Sequence, residues 1–201
     1  LNLYSGFVES GSGPKFGLLF ALLPVGAMAL AYALLGTLQV DYGLDETQLS
    51  QLAVAVAIVS AAGCVLGGII GNKLGVKRVV AAGYALTALP TLYLAYQISA
   101  VGLTNIPIQV FVAIMLSHSL LFGIAFAVRM AIFMGMTNPL VAATQFTTYM
   151  ALSNVAISIG NYWQGVVAER FDYSTALYID AAIIILALCV MPFLKDRETA
   201  A

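Results

Sequence analysis

The 201 residues include eight Lys or Arg, nine Asp or Glu and one His, for a formal net charge of −1, and 62% of them are hydrophobic. Only 8% are charged, against about 25% in an ordinary soluble domain, so charge cannot cover a globule of this size and most of the surface must face lipid. The charge balance gives no basic face for nucleic acid, and Cys64 and Cys189 sit in apolar runs without metal-ligand spacing, which makes them packing residues rather than a disulfide or a zinc site.

The chain opens at Leu1 without an initiator Met. Residues 1–15, with Ser10, Gly11, Ser12, Gly13 and Pro14, read as the end of a linker, which raises the expectation that an N-terminal part precedes them. Six stretches then reach the roughly 20 apolar residues that a helix needs to cross hydrocarbon: 16–38, 49–71, 79–98, 107–136, 143–168 and 174–194. Polar or helix-breaking segments separate them at 41–46, 72–78, Thr104-Asn105, Asn138-Pro139 and 169–172. Pro24 and Pro90 fall inside spans and permit bending there. The expected fold is all-α and polytopic, with a six-helix transmembrane bundle over 16–198 and a short tail at 199–201.

Orientation follows from the basic residues. If the first helix starts inside, Lys15, Lys73, Lys77, Arg78, Lys195 and Arg197 are cytoplasmic and only Arg170 lies outside, so both ends of the segment are cytoplasmic. Between the second and third spans the chain reads Gly67-Gly68-Ile69-Ile70-Gly71-Asn72-Lys73-Leu74-Gly75-Val76-Lys77-Arg78. A connection this short turns tightly, which suits Gly71 and Gly75, and its cations suit a helix C-terminus and an anionic inner leaflet.

That loop resembles the signature loop of the major facilitator superfamily, a Gly-rich helix end followed by Asp-Arg-x-Gly-x-Lys/Arg-Arg, with Asn72 and Lys73 standing where the Asp-Arg pair would be. A second stretch, Asn138-Pro139-Leu140-Val141-Ala142-Ala143-Thr144-Gln145-Phe146, together with Gly165 to Glu169 and Tyr173-Ser174-Thr175, is similar to AmpG-type muropeptide permeases and acetyl-CoA transporter relatives. The resemblance implies helices 7 to 12 of a twelve-helix transporter, built as an inverted pair of three-helix repeats with a boundary near 99–105, and a missing N-terminal six-helix half as partner. It also implies a bacterial inner membrane, with an organelle membrane as the alternative. The chain departs from the AmpG pattern at Pro24, Val25, Gly26 and Ala27, where that group carries a Lys and an Asp, and at His118, where it carries a Glu.

Polar groups inside spans are costly and mark function by default. His118 and Arg129 are eleven residues apart, hence on one helix face and roughly 16 Å from each other. His118 suits proton coupling, or else a neutral hydrogen bond through Ser117 or Ser119. Arg129 suits an anionic solute, or else snorkels to headgroups. Asp180, in the last span, reads as structural or interfacial. Thr147, Asn154, Ser158 and Asn161 share an arc of about 60° on the fifth span, which either lines a wet cavity or bonds to another helix. Gln164 and Trp163 read as lying near the outer end, and Tyr84, Thr87 and Thr91 as packing.

The leading expectation is a secondary transporter fragment that moves a small solute by alternating access with proton coupling, its site drawn from His118, Arg129, Asn154, Ser158, Asn161 and Thr147, and no cofactor. An intramembrane protease would need a Gly-x-Ser nucleophile beside His118, and Ser12 lies in the leading linker. A non-transporting membrane scaffold or sensor is the remaining alternative.

Overall fold

A computed structural model describes Phe7 and residues 12–189, so most of the leading linker, Lys195, Arg197 and the tail lie outside the described residues. The described residues form seven helices: α1 (Ser12–Leu22), α2 (Leu35–Tyr42), α3 (Glu46–Leu74), α4 (Val76–Val101), α5 (Ile108–Met136), α6 (Ala142–Arg170) and α7 (Tyr173–Leu188), with single 3-10 turns at Pro24–Gly26, Leu103–Asn105 and Pro139–Val141. Three of them, α3, α4 and α5, are long and apolar enough to cross a membrane, and α7 is a shorter apolar helix. At 29 residues α6 matches α3 in length, but its Thr, Ser, Asn and Gln residues dilute its apolar character.

Helix ends follow local chemistry. Asp45 caps α3 in a reciprocal box, its carboxylate accepting from the Gln48 N–H while the Gln48 side chain accepts from the Asp45 N–H. Asp172 caps α7 by accepting from the Thr175 N–H. The expected break at 72–78 shrinks to one residue. Asn72 and Lys73 complete α3, Lys77 and Arg78 begin α4, and Gly75 alone makes the turn at φ +89°, ψ 133°. An L side chain is strained there, so Gly75→Val is expected to cost about 1–3 kcal/mol, read as a lowered Tm of the purified protein in detergent.

The first span differs most from expectation. It is not one helix over 16–38 but two, separated by a buried, irregular stretch. Pro24 supplies no N–H and pushes Leu23 to extended backbone (φ −64°, ψ 136°). A 3-10 turn follows, and turns carry the chain from Met28 to Leu34 before α2 forms. Non-helical backbone at this depth is tolerated only inside protein, and Ala27, Met28, Ala29 and Leu30 are each at most 2% exposed.

Two apolar clusters divide the bundle at that stretch. One gathers Phe20, Met28, Val80, Tyr84, Val128, Phe133, Tyr149 and Ile184. The other gathers Ala29, Leu34, Leu38, Leu94, Phe111, Met115 and Leu177. Apart from the buried Arg129 and Asp180, the charged residues of the described chain segregate to the two ends. Lys15, Lys73, Lys77 and Arg78 mark a basic end, while Asp41, Asp45, Glu46, Glu169 and Asp172 mark an acidic end that also holds Arg170. The acidic end is clasped by the Tyr173 hydroxyl donating to Asp41 (2.6 Å) and the Tyr42 hydroxyl donating to the Ile106 carbonyl (2.6 Å). At the basic end Tyr149 donates to the Pro14 carbonyl and Gly17 lies against its ring.

The tightest packing is α3 against α5, which run parallel with α4 returning between them in sequence. Gly63 and Gly67 of α3 face the backbone of Leu120 and Ile124, and Gly123 of α5 faces the backbone of Ser60 and Cys64. Small residues here let two backbones touch. Gly68, next to Gly67 in sequence, points into open space. The packing stripe on α4 is as expected, with Tyr84, Thr87 and Thr91 fully buried.

Candidate functional site

The broken first span leaves backbone groups that an intact helix would pair, and two side chains from distant helices take them up. Asp180 of α7 accepts from the Ala29 N–H through Oδ2 (3.1 Å). Gln164 of α6 donates through Nε2 both to the Ala27 carbonyl (2.6 Å) and to Asp180 Oδ1 (2.8 Å). Both side chains are buried, Gln164 completely. Gln164 is therefore not interfacial, as its neighbour Trp163 suggested; it closes the core. Gly160, one turn earlier, admits Ala27, whose Cβ would be 2.6 Å from any side chain placed there.

Arg129 lies on the basic-end side of this layer and is 2% exposed. Its guanidinium does not snorkel. It donates to Ser153 Oγ on α6 (3.1 Å) and weakly to the Ala21 carbonyl (3.5 Å), and it stands over the rings of Phe133 (5.2 Å) and Phe20 (5.8 Å). Those partners are all uncharged, and its Nε has none. The buried Tyr84 hydroxyl also interacts with it, and an enclosed cation held by hydroxyls, a carbonyl and two ring faces is under-compensated.

His118, 1% exposed, stands two turns before the Phe126 level of α5 with its ring stacked on Phe122 (centroids 6.2 Å, 10° between planes). The Ser117 and Ser119 hydroxyls donate to carbonyls of their own helix, Ile114 and Met115, and do not engage it. Its Nε2 is buried without a partner. His118, Ser119 and Phe122 line a cavity of about 210 Å³ together with Leu30, Ala31 and Leu35 of the first span and Ser60 of α3. Phe122 bridges onward to Tyr32, edge to face at 6.0 Å.

The α6 stripe faces elsewhere. Thr147, Asn154 and Ser158 are exposed, and Asn154 and Ser158 line an open groove of about 430 Å³ with Val155, Ile159 and Tyr162. Thr147 and Ser158 donate back to Ala143 and Asn154 of their own helix. Asn161 is half-buried with its Oδ1 unpartnered. Thus the structure brings His118 to a half-open cavity, Arg129 to a separate polar contact with Ser153, and the α6 residues to an outward groove. Ser153 and Gln164 are polar residues whose placement sequence reasoning missed, while Asp180, read as structural or interfacial, takes the structural place. Of these only Asp180 carried a signal, as an acid within an apolar helix.

The signature-loop residues Gly71, Asn72, Lys73, Gly75, Lys77 and Arg78 gather at the basic end, where Gly71 is buried against Val128 and Asn72, Lys73 and Arg78 are exposed. Across the same end, the Asn138 side chain accepts from the Leu140 N–H, while Gln145 folds back to accept from the Asn138 N–H (2.6 Å). The Asn-Pro-to-Gln segment therefore turns back on itself between α5 and α6. A family model described as Major Facilitator Superfamily matches residues 16–201. No curated protein matches the chain.

Proposed function

The chain belongs to the Major Facilitator Superfamily, and from that premise we propose that this membrane transporter moves a small anionic solute by alternating access, driven by protons, with this chain as the second of two six-helix halves. The first span in its two pieces, α3, α4, α5, α6 and α7 would supply the six crossings, and the Gly102 turn (φ +82°) would divide the two three-helix repeats. The observation that carries this reading is Arg129, a buried guanidinium with no charged partner among the described residues and an unused Nε. The outward groove at Asn154 and Ser158 suits solute contact across a central cavity once the other half faces it, and Thr147 and Asn161 of the same helix join it in this reading.

Within the superfamily the Asn138-to-Phe146 sequence supports kinship with AmpG-type permeases and acetyl-CoA transporter relatives. The charge segregation supports a basic end in the cytoplasm of a bacterial inner membrane. Membrane lipid covers the exposed apolar residues of α3, such as Val54, Ile58 and Val65.

His118 is the coupling residue in this reading, because an imidazole with a free nitrogen in a small cavity can take and release a proton. In proteoliposomes of the complete protein, His118→Gln is expected to retain solute exchange while losing at least tenfold of the uptake driven by a proton gradient. Uptake and pH dependence that survive the change intact remove His118 from the mechanism.

A further inference from the structure

We infer that Asp180 and Gln164 form a second proton-binding site, whose occupancy sets whether the unwound turn of the first span, at Ala27 and Ala29, is gripped or released. As the structure stands, both carboxylate oxygens of Asp180 accept N–H groups, Oδ1 from Gln164 and Oδ2 from Ala29. That is the pattern of an ionised carboxylate. The Ala27 carbonyl is acceptor-only, so its 2.6 Å contact fixes the nitrogen of the Gln164 amide toward it. The amide oxygen then points elsewhere, buried and with no donor. A carboxylate enclosed in the bilayer therefore stands beside an acceptor that lacks a proton.

No charge compensates Asp180 among the described residues. The first span offers it only backbone, and α6 offers the neutral Gln164. On α4, whose register with α7 is fixed by Ser174 Oγ donating to the Ala95 carbonyl, the nearby Thr87 and Thr91 hydroxyls donate to their own helix. Arg129 is occupied one half-bundle away, at Ser153 and Ala21. A metal cation fits poorly, because hard cations require several oxygen ligands and this carboxylate is faced by N–H donors. A proton fits. It bonds to Oδ1, and the new O–H donates to Gln164 Oε1 after the amide turns by half a rotation. The turn exchanges the two amide atoms: Oε1 takes the place of Nε2 and accepts from the new O–H, Nε2 moves to the former place of Oε1, and the Ala27 carbonyl, left facing an oxygen instead of a donor, is no longer held. One proton is gained, one O–H bond forms, and the clamp on the unwound segment opens. Because that carbonyl belongs to buried irregular backbone, its release is what a two-state first span would respond to.

The test is infrared difference spectroscopy of the complete protein in lipid, recorded across a pH titration, a readout that stands whether or not any solute is moved. A carboxylic-acid C=O band is expected to appear on acidification together with a shifted side-chain amide band, and Asp180→Asn is expected to abolish the former. Gln164→Met covers the case in which Asp180→Asn fails to fold. There the acid band persists but moves to higher frequency, since the protonated group has lost its acceptor. An acid band untouched in Asp180→Asn, or one that keeps its frequency in Gln164→Met, overturns the site. A band that disappears with added sodium at constant pH also overturns it, since the site would then hold a metal cation.

Discussion

Gly123→Val is expected to leave little folded protein. Helices in lipid gain nothing from the hydrophobic effect when they meet, so close packing and backbone approach hold them together. At the α3–α5 crossing that approach is made twice over: a Cβ on Gly123 would collide with the Ser60 carbonyl, and one on Gly63 or Gly67 would collide with the Leu120 or Ile124 carbonyl. These obstacles are backbone atoms, so no rotamer change relieves them and the helices must separate. Ordinary overpacking costs about 1–3 kcal/mol; here the separation also opens the 210 Å³ cavity wall that Ser60 and Ser119 share, so the upper part of that range or beyond is expected. Gly68→Val is the comparison. One residue from Gly67 but facing open space, it is expected to leave Tm and the monodisperse yield after detergent extraction within the range of the unmodified protein. Equal yields for both variants would mean that the two backbones are not in contact.

Much of the fold was legible because turns and caps are local. Asp45 with Gln48, Gly75, Gly102 and Asp172 end helices by chemistry that a few residues contain. The break in the first span was half legible. Pro24 announced a bend, but the depth of unwinding depends on Asp180, 151 positions from Ala29, and Gln164, 137 from Ala27, and no local pattern links them. The α6 stripe shows a second limit. Helical arithmetic put Asn154 and Ser158 on one face, and they do share a groove. Which face turns inward was not legible, because lipid-facing and protein-facing residues are equally apolar in a membrane, and the inward choice fell on Ser153, one position away. The same ambiguity affects α5, where His118 and Arg129 are both buried yet meet different neighbours because the first span changes course between their levels.

Arg129→Met is expected to hold or raise stability while abolishing transport of an anion. These opposite signs follow from one feature, a buried cation whose partners are all neutral. Replacing buried charge by an apolar side chain of similar length is neutral or stabilising by about 1–4 kcal/mol, and Met is flexible enough to fill the space between Phe20 and Phe133. If the guanidinium instead meets a solute carboxylate or phosphate, its loss removes about 2–5 kcal/mol of binding, roughly 30-fold or more in apparent affinity. Arg129→Lys separates charge from shape. It keeps a point charge but not the planar fork that binds two anion oxygens and stacks on rings, so its uptake is expected to lie between the two. Thermal unfolding in detergent and concentration-dependent uptake in proteoliposomes read the two quantities independently. A fall in Tm with unchanged uptake would make Arg129 a pin between α5, α6 and the first span and leave the protein without its anion site. A steady Tm with uptake lost places the solute against the guanidinium, on the basic-end side of the layer where the two cores of the bundle meet.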